Sequence, residues 1–164
     1  MTRVSILTLV LVAACARAPA TEPGPLQPSE PFTVSQVVLS GPGGESVEVP
    51  VYVADNSGER GRGLMFREHL PPRTGMVFIF PEARAGAFYM KNTLIPLSIA
   101  FYGQGGRVLR VLDMEPCEAE PCPLYNPGVA FIGALEVNQG FFGETGLDET
   151  WTIELPEDLP AATS

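Results

Sequence analysis

The residues with the clearest chemical capacity are Lys91, Asn92 and Thr93, a polar island inside the apolar run Phe88–Phe101. A lysine flanked in this way either reaches water along its stem or finds a partner for its charge. Glu136 stands in the apolar segment Val129–Asn138 and is the candidate partner, with Asn138 two residues on along the same side of a strand. Arg62 and Arg67 arrive from a glycine-punctuated segment. Arg62, Arg67, Lys91, Asn92, Glu136 and Asn138 would then line one shallow polar site for a small anionic or carbohydrate-like ligand, such as a sugar or a peptidoglycan fragment. The same residues also fit a structural role. In that reading Lys91 and Glu136 form a buried pair, Asn92 and Thr93 shape a tight turn, and the arginines brace loops.

Catalysis finds less support. A hydrolase needs a nucleophile with a base, two carboxylates or a metal. The chain has no Gly-x-Ser-x-Gly and no His-Glu-x-x-His, and its single histidine, His69, stands just before Pro71-Pro72 in an expected surface loop. Asp113, Glu115, Glu118 and Glu120 cluster around two cysteines and read as a solvated acidic rim. We therefore expect no catalytic residue, no metal and no cofactor. Two alternatives to a small-molecule site remain open. One is an envelope protein that docks a partner through Phe141-Phe142 and Tyr125; the other is an unrecognised hydrolase of envelope material.

The N-terminus indicates where such a site would work. Arg3 precedes the apolar stretch Val4–Val12, which is too short to span a bilayer and reads as a secretory signal. Val12-Ala13-Ala14-Cys15 resembles a bacterial lipobox, so residues 1–14 would be removed and Cys15 lipidated; an ordinary signal cut near Ala14 or Ala20 is the alternative. Multiple acyl chains would give a stable membrane anchor. Residues 15–31, with prolines at 19, 23, 25, 28 and 31, read as an extended tether. The expected location is extracytoplasmic, on the cell membrane or the outer membrane. With Cys15 lipidated, Cys117 and Cys122 remain as a disulfide pair in an oxidising compartment. That bridge closes a short loop, contributing about 2 kcal/mol in the chain-entropy model. A net charge of −9 without a long basic run disfavours nucleic acid as a partner. The partners left are the membrane, an envelope glycan, a small anion or an envelope protein.

The elements that must position these residues form, on this reading, a mostly β, compact single-domain sandwich or barrel-like fold over residues 32–156, followed by a polar tail over 157–164. Glycine and proline number 17 each, which favours many turns and few long helices. Strands are expected at Phe32–Ser40, at Val47–Val53, at Met76–Phe80, at Gly86–Met90, at Leu97–Tyr102, at Arg107–Leu112 and at Thr150–Leu155. Pro50 suggests an edge strand or a bulge. Val129–Asn138, apolar on both alternating faces, suggests a central strand. Asn56 with Glu59 signals the start of one short helix near residues 57–67.

Four segments also resemble one family: Arg62-Gly63-Leu64-Met65-Phe66-Arg67, Gly75–Pro81, Met90-Lys91-Asn92-Thr93-Leu94-Ile95-Pro96-Leu97 and Leu135–Gly140. The chain is similar in these to the domain of unknown function 192 family, from about Val34 to Leu155. The resemblance implies a compact β domain with a short helix bearing the Arg-Gly-Leu-Met motif, and no established activity. Tyr89 stands where the family often has tryptophan, and Ser98 where Pro-Leu-Asp is usual.

Overall fold

The computed structural model describes residues 31–157 together with 159, 162 and 163. The expected signal, Cys15 and the tether lie outside the described residues. In chain order the elements are β1 (Thr33–Ser40), β2 (Ser46–Ala54), α1 (Ser57–Arg62), β3 (Gly75–Arg84), β4 (Phe88–Tyr89), β5 (Leu97–Tyr102), β6 (Val108–Met114), β7 (Leu124–Tyr125), β8 (Phe131–Asn138), α2 (Phe141–Thr145) and β9 (Thr152–Glu154). Seven strands form one sheet in the order β6-β5-β8-β3-β2-β1-β9, while β4 and β7 pair separately. β2 and β3 run parallel, joined by the crossover that carries α1. The large sheet curls into a half-barrel: Arg107 bridges to Thr152, and the Val108 N–H donates to the Trp151 carbonyl at 3.0 Å, so the two ends of the sheet meet. The mostly β, single-domain expectation is what the chain adopts.

Both faces of the sheet are covered, which accounts for strands that are apolar in both directions. The inner face holds Val37, Val51, Val77, Leu135 and Val137, closed by Phe141, Phe142 and Trp151. The outer face holds Met76, Phe78, Ile99, Phe101 and Ala134, covered by Leu64, Leu70 and Met90 from the connecting segments. β8 lies between β3 and β5 and is the central strand that its pattern suggests.

Several expectations are corrected. Pro50 stands in an interior strand: it pairs with Gln36 of β1, one residue before β3 begins pairing at Val51, so at that position the strand is paired on one side. The Gly86–Met90 strand is only two residues long and leaves the main sheet for β7, inside a connection that reads as irregular from sequence. The helix ends at Arg62, short of Arg67, because Gly63 turns to φ 48° and its N–H caps the Glu59 carbonyl at 2.8 Å. Phe141 and Phe142 are buried against the inner core, so they are unavailable as a docking surface.

One glycine is required by close approach. The Tyr102 ring lies across Gly133, and its hydroxyl donates to the Phe78 carbonyl at 3.2 Å. A Cβ at position 133 would stand 2.1 Å from the Tyr102 hydroxyl and 2.6 Å from that carbonyl. Gly133→Ala should therefore destabilise the fold by about 1–3 kcal/mol through overpacking. Urea denaturation measures it; an unchanged midpoint would contradict this packing.

Candidate ligand-binding site

The outer face is not completely filled. A cleft of about 300 Å³ opens between the sheet and its covering segments. α1 contributes its upper wall. Asn56 caps that helix by accepting from the Glu59 N–H at 3.0 Å, and Glu59 Oε2 accepts in return from the Asp55 N–H at 3.1 Å. The early stop at Gly63 then turns Leu64 into the core and leaves Arg62 exposed at the cleft mouth. The Gly63 Cα faces the Phe78 ring, with 3.4 Å available to a Cβ.

The walls are aromatic. Phe78 and Phe88 meet edge-on at 5.1 Å, and Phe131 lies 5.7 Å from Phe80 and 4.9 Å from Phe101. Glu136 of β8 closes the floor. Its cross-strand neighbours are Met76 and Ile99, both fully buried, and it is itself only 5% exposed. No described side chain hydrogen-bonds or ion-pairs with its carboxyl, whose oxygens are not sealed away from the cleft. Burial alone pushes the Glu136 carboxyl up to about 8 from an ordinary 4.5, so it is protonated at neutral pH.

Three arginines line the mouth, with unequal freedom. Arg60 donates to the carbonyls of Asp55 (2.6 Å), Ile79 (3.1 Å) and Thr163 (2.7 Å). Arg60 and Arg84 both set their guanidiniums against the Phe80 ring, at 5.2 and 4.8 Å. Arg62 has no side-chain partner among the described residues.

The six residues singled out from sequence do not share one cavity. Arg62 and Glu136 line the cleft. Lys91 and Asn92 line a separate hollow of about 190 Å³ with the Cys117–Cys122 loop. Lys91 turns outward and pairs with Glu120 at 2.6 Å, both side chains more than half exposed. The hydrogen bond and charge of Glu120 raise the Lys91 ammonium, while Lys91 lowers the Glu120 carboxyl. A surface pair replaces the expected Lys91–Glu136 pair because Asn92, at φ 58°, turns the chain and leaves Lys91 exposed. Asn138 donates to the carbonyls of Leu70 and Pro71, holding the His69 loop to β8. Arg67 lies 4.2 Å over the Tyr52 ring.

Cys117 and Cys122 form the disulfide expected of them, with Cα atoms 5.4 Å apart. Among the described residues, no cluster of three or more His, Cys, Asp or Glu is placed to hold a metal ion. Thr93, of the polar island, also lines the cleft; Phe78, Phe88 and Phe131 line it too but were not singled out from sequence, where their signal was only apolarity.

The family profile described as "Uncharacterized ACR", the domain of unknown function 192, matches residues 38–155. The chain belongs to this family. Two solved structures share its fold, each with a TM-score of 0.70. One is a proposed transcription regulator from Sinorhizobium meliloti 1021, 27% identical, the match covering 75% of this chain and 94% of that one. The other is a protein of unknown function from Novosphingobium aromaticivorans DSM 12444, 28% identical over 83% of this chain and 94% of that one. No functionally curated protein matches the chain. In this member of the 192 family the Ser98 hydroxyl donates to Asp113 Oδ1 at 2.5 Å from the paired strand β6 and accepts from the Gly140 N–H at 3.1 Å. A carboxylate is thus present beside position 98, supplied from the neighbouring strand.

The raised Glu136 carboxyl has a consequence for stability. The folded state holds a proton that the unfolded chain releases above pH 4.5, so stability falls as pH rises from about 4.5 to about 8 and is level above that. The total loss is up to roughly 5 kcal/mol. Glu136→Gln should remove this slope and be more stable than the native chain at pH 9. Denaturation midpoints at pH 5, 7 and 9 measure it, and parallel profiles for the two proteins would refute the burial effect.

Proposed function

We propose that this member of the 192 family is an extracytoplasmic binding module, lipid-anchored at Cys15, that captures a small anionic or carbohydrate-like ligand in the aromatic cleft. The observation that carries this reading is an acid and a cation, neither paired to a described side chain, lining one aromatic cleft. Glu136 lies nearly buried at the floor and Arg62 exposed at the mouth, and neither has a side-chain partner among the described residues. Desolvating the Glu136 carboxyl costs stability, and a ligand that hydrogen-bonds or ion-pairs with it recovers part of that cost on binding. Aromatic walls suit a sugar ring or another flat apolar body, and the cavity volume suits a small molecule.

Binding is favoured over hydrolysis because Glu136 is the only carboxyl group lining the cleft among the described residues, and a glycosidase ordinarily needs two. Partner docking loses the Phe141-Phe142 pair, which is buried, and Tyr125 is engaged, its hydroxyl accepting from the Glu115 N–H at 2.9 Å; Phe66 and Tyr89 remain exposed. The regulatory role proposed for the Sinorhizobium protein would require nucleic-acid or effector binding, and a net charge of −9 disfavours the former here.

Two experiments test the reading. Thermal denaturation of the full chain against uronic acids, sugar phosphates and muropeptides should find a stabilising ligand, whose shift Arg62→Ala diminishes. A flat response across all three classes would refute a small-ligand site. For the anchor, the native chain should partition into the detergent phase and Cys15→Ala into the aqueous phase; identical partitioning would refute lipidation.

A further inference from the structure

Glu136 carries more information than the presence of a site. It is the one acid in the cleft among the described residues, flanked by Met76 and Ile99 and sharing the lining with four phenylalanines. The charged and titratable groups facing it are Arg60 and Arg62 from α1, Arg84 from β3 and Tyr89 from β4. Met76 of β3 and Ile99 of β5 bring none. The guanidiniums of Arg60 and Arg84 are committed to backbone carbonyls or to the Phe80 ring, so neither serves as a counter-ion for the floor. A lone carboxyl among aromatic faces is chemically matched to a cation, since the ring quadrupole and the carboxylate attract the same charge. Arg62, unpartnered at the mouth, is matched to an anion.

We infer that the cleft recognises a small molecule with two opposite charges, its protonated amine seated against Glu136 among the phenylalanine rings and its carboxylate or phosphate held by Arg62. This rests on the proposed reading of the cleft as a ligand site and specifies which ligands it takes: amino sugars bearing an acid group, or amino acid-like molecules. Seating the ammonium requires an ionised Glu136. Binding at neutral pH therefore sends the Glu136 proton to solvent, leaving a carboxylate–ammonium pair in the floor. A hydroxyl or acetamide would instead hydrogen-bond to the neutral acid, and no proton would leave.

The test uses matched pairs that differ only at the amine: glucosamine 6-phosphate against N-acetylglucosamine 6-phosphate, and 4-(aminomethyl)benzoate against its N-acetyl derivative. Calorimetry on the full chain at pH 6.5, in buffers of different ionisation enthalpy, reads affinity and proton release together. The amine members should bind at least about tenfold tighter than the acetamides. They should release close to one proton per ligand, and tighten by up to about tenfold per pH unit as pH rises toward 7.5. Glu136→Gln should abolish the preference, and Arg62→Ala should weaken both members of each pair alike. If that glutamine variant fails to fold, proton release by the native chain still decides. Equal or tighter binding of the acetamides without proton release would overturn the inference while leaving the cleft reading intact, provided Arg62→Ala still weakens them. No binding by either member of either pair would overturn both.

Discussion

A carboxyl group on a strand covered on both faces is the constraint around which this molecule is arranged. β8 is an interior strand of the sheet, between β5 and β3, so its apolar side chains point into one of two cores. Leu135 and Val137 fill the inner core, as their apolarity requires. Glu136, between them, has to point into the outer one. Desolvation there favours the neutral acid and leaves it in want of a partner. The outer layer remains open above it, and the group lines the resulting cleft.

The covering layer is built from short pieces held by specific backbone geometry. Gly63 ends α1 early and lets the chain turn over Phe78. Phe66, at φ 63°, donates its N–H to the Asn92 carbonyl at 2.8 Å, tying the helix exit to the polar island. Both residues lie in the left-handed region, which is tolerated only where the surrounding structure holds it. The island therefore acts as a clasp beside the cleft. Its lysine belongs to the surface pair with Glu120, and a solvated pair of this kind adds little to stability. The disulfide shapes the loop that presents Glu120.

Membership of the 192 family and two structural relatives at a TM-score of 0.70 make the fold shared property. Within it, Ser98 links two elements through its side chain. The hydroxyl joins Asp113 of one neighbouring strand to the Gly140 backbone that follows the other. A carboxylate at that place need not be encoded at that position.

Sequence alone determined the class of fold, because alternation, glycine turns and a doubly apolar central segment are local properties that a strand ladder reads directly. It also marked Glu136 and Arg62, since a charge inside an apolar run and an arginine beside two glycines are conspicuous without coordinates. The cysteine pairing followed from counting. What only the tertiary structure decided is which marked residues meet. Lys91 and Glu136 looked like partners because each was an anomaly in an apolar segment, yet the left-handed turn at Asn92 sends one outward while the strand pleat sends the other inward. Pro50 looked like an edge residue, yet the offset at which β3 begins lets an interior strand hold it. Phe141 and Phe142 looked available, yet the curl of the sheet leaves an inner core for them to close. Each of these depends on the relative placement of segments distant in sequence, and local residue patterns carry no record of that distance.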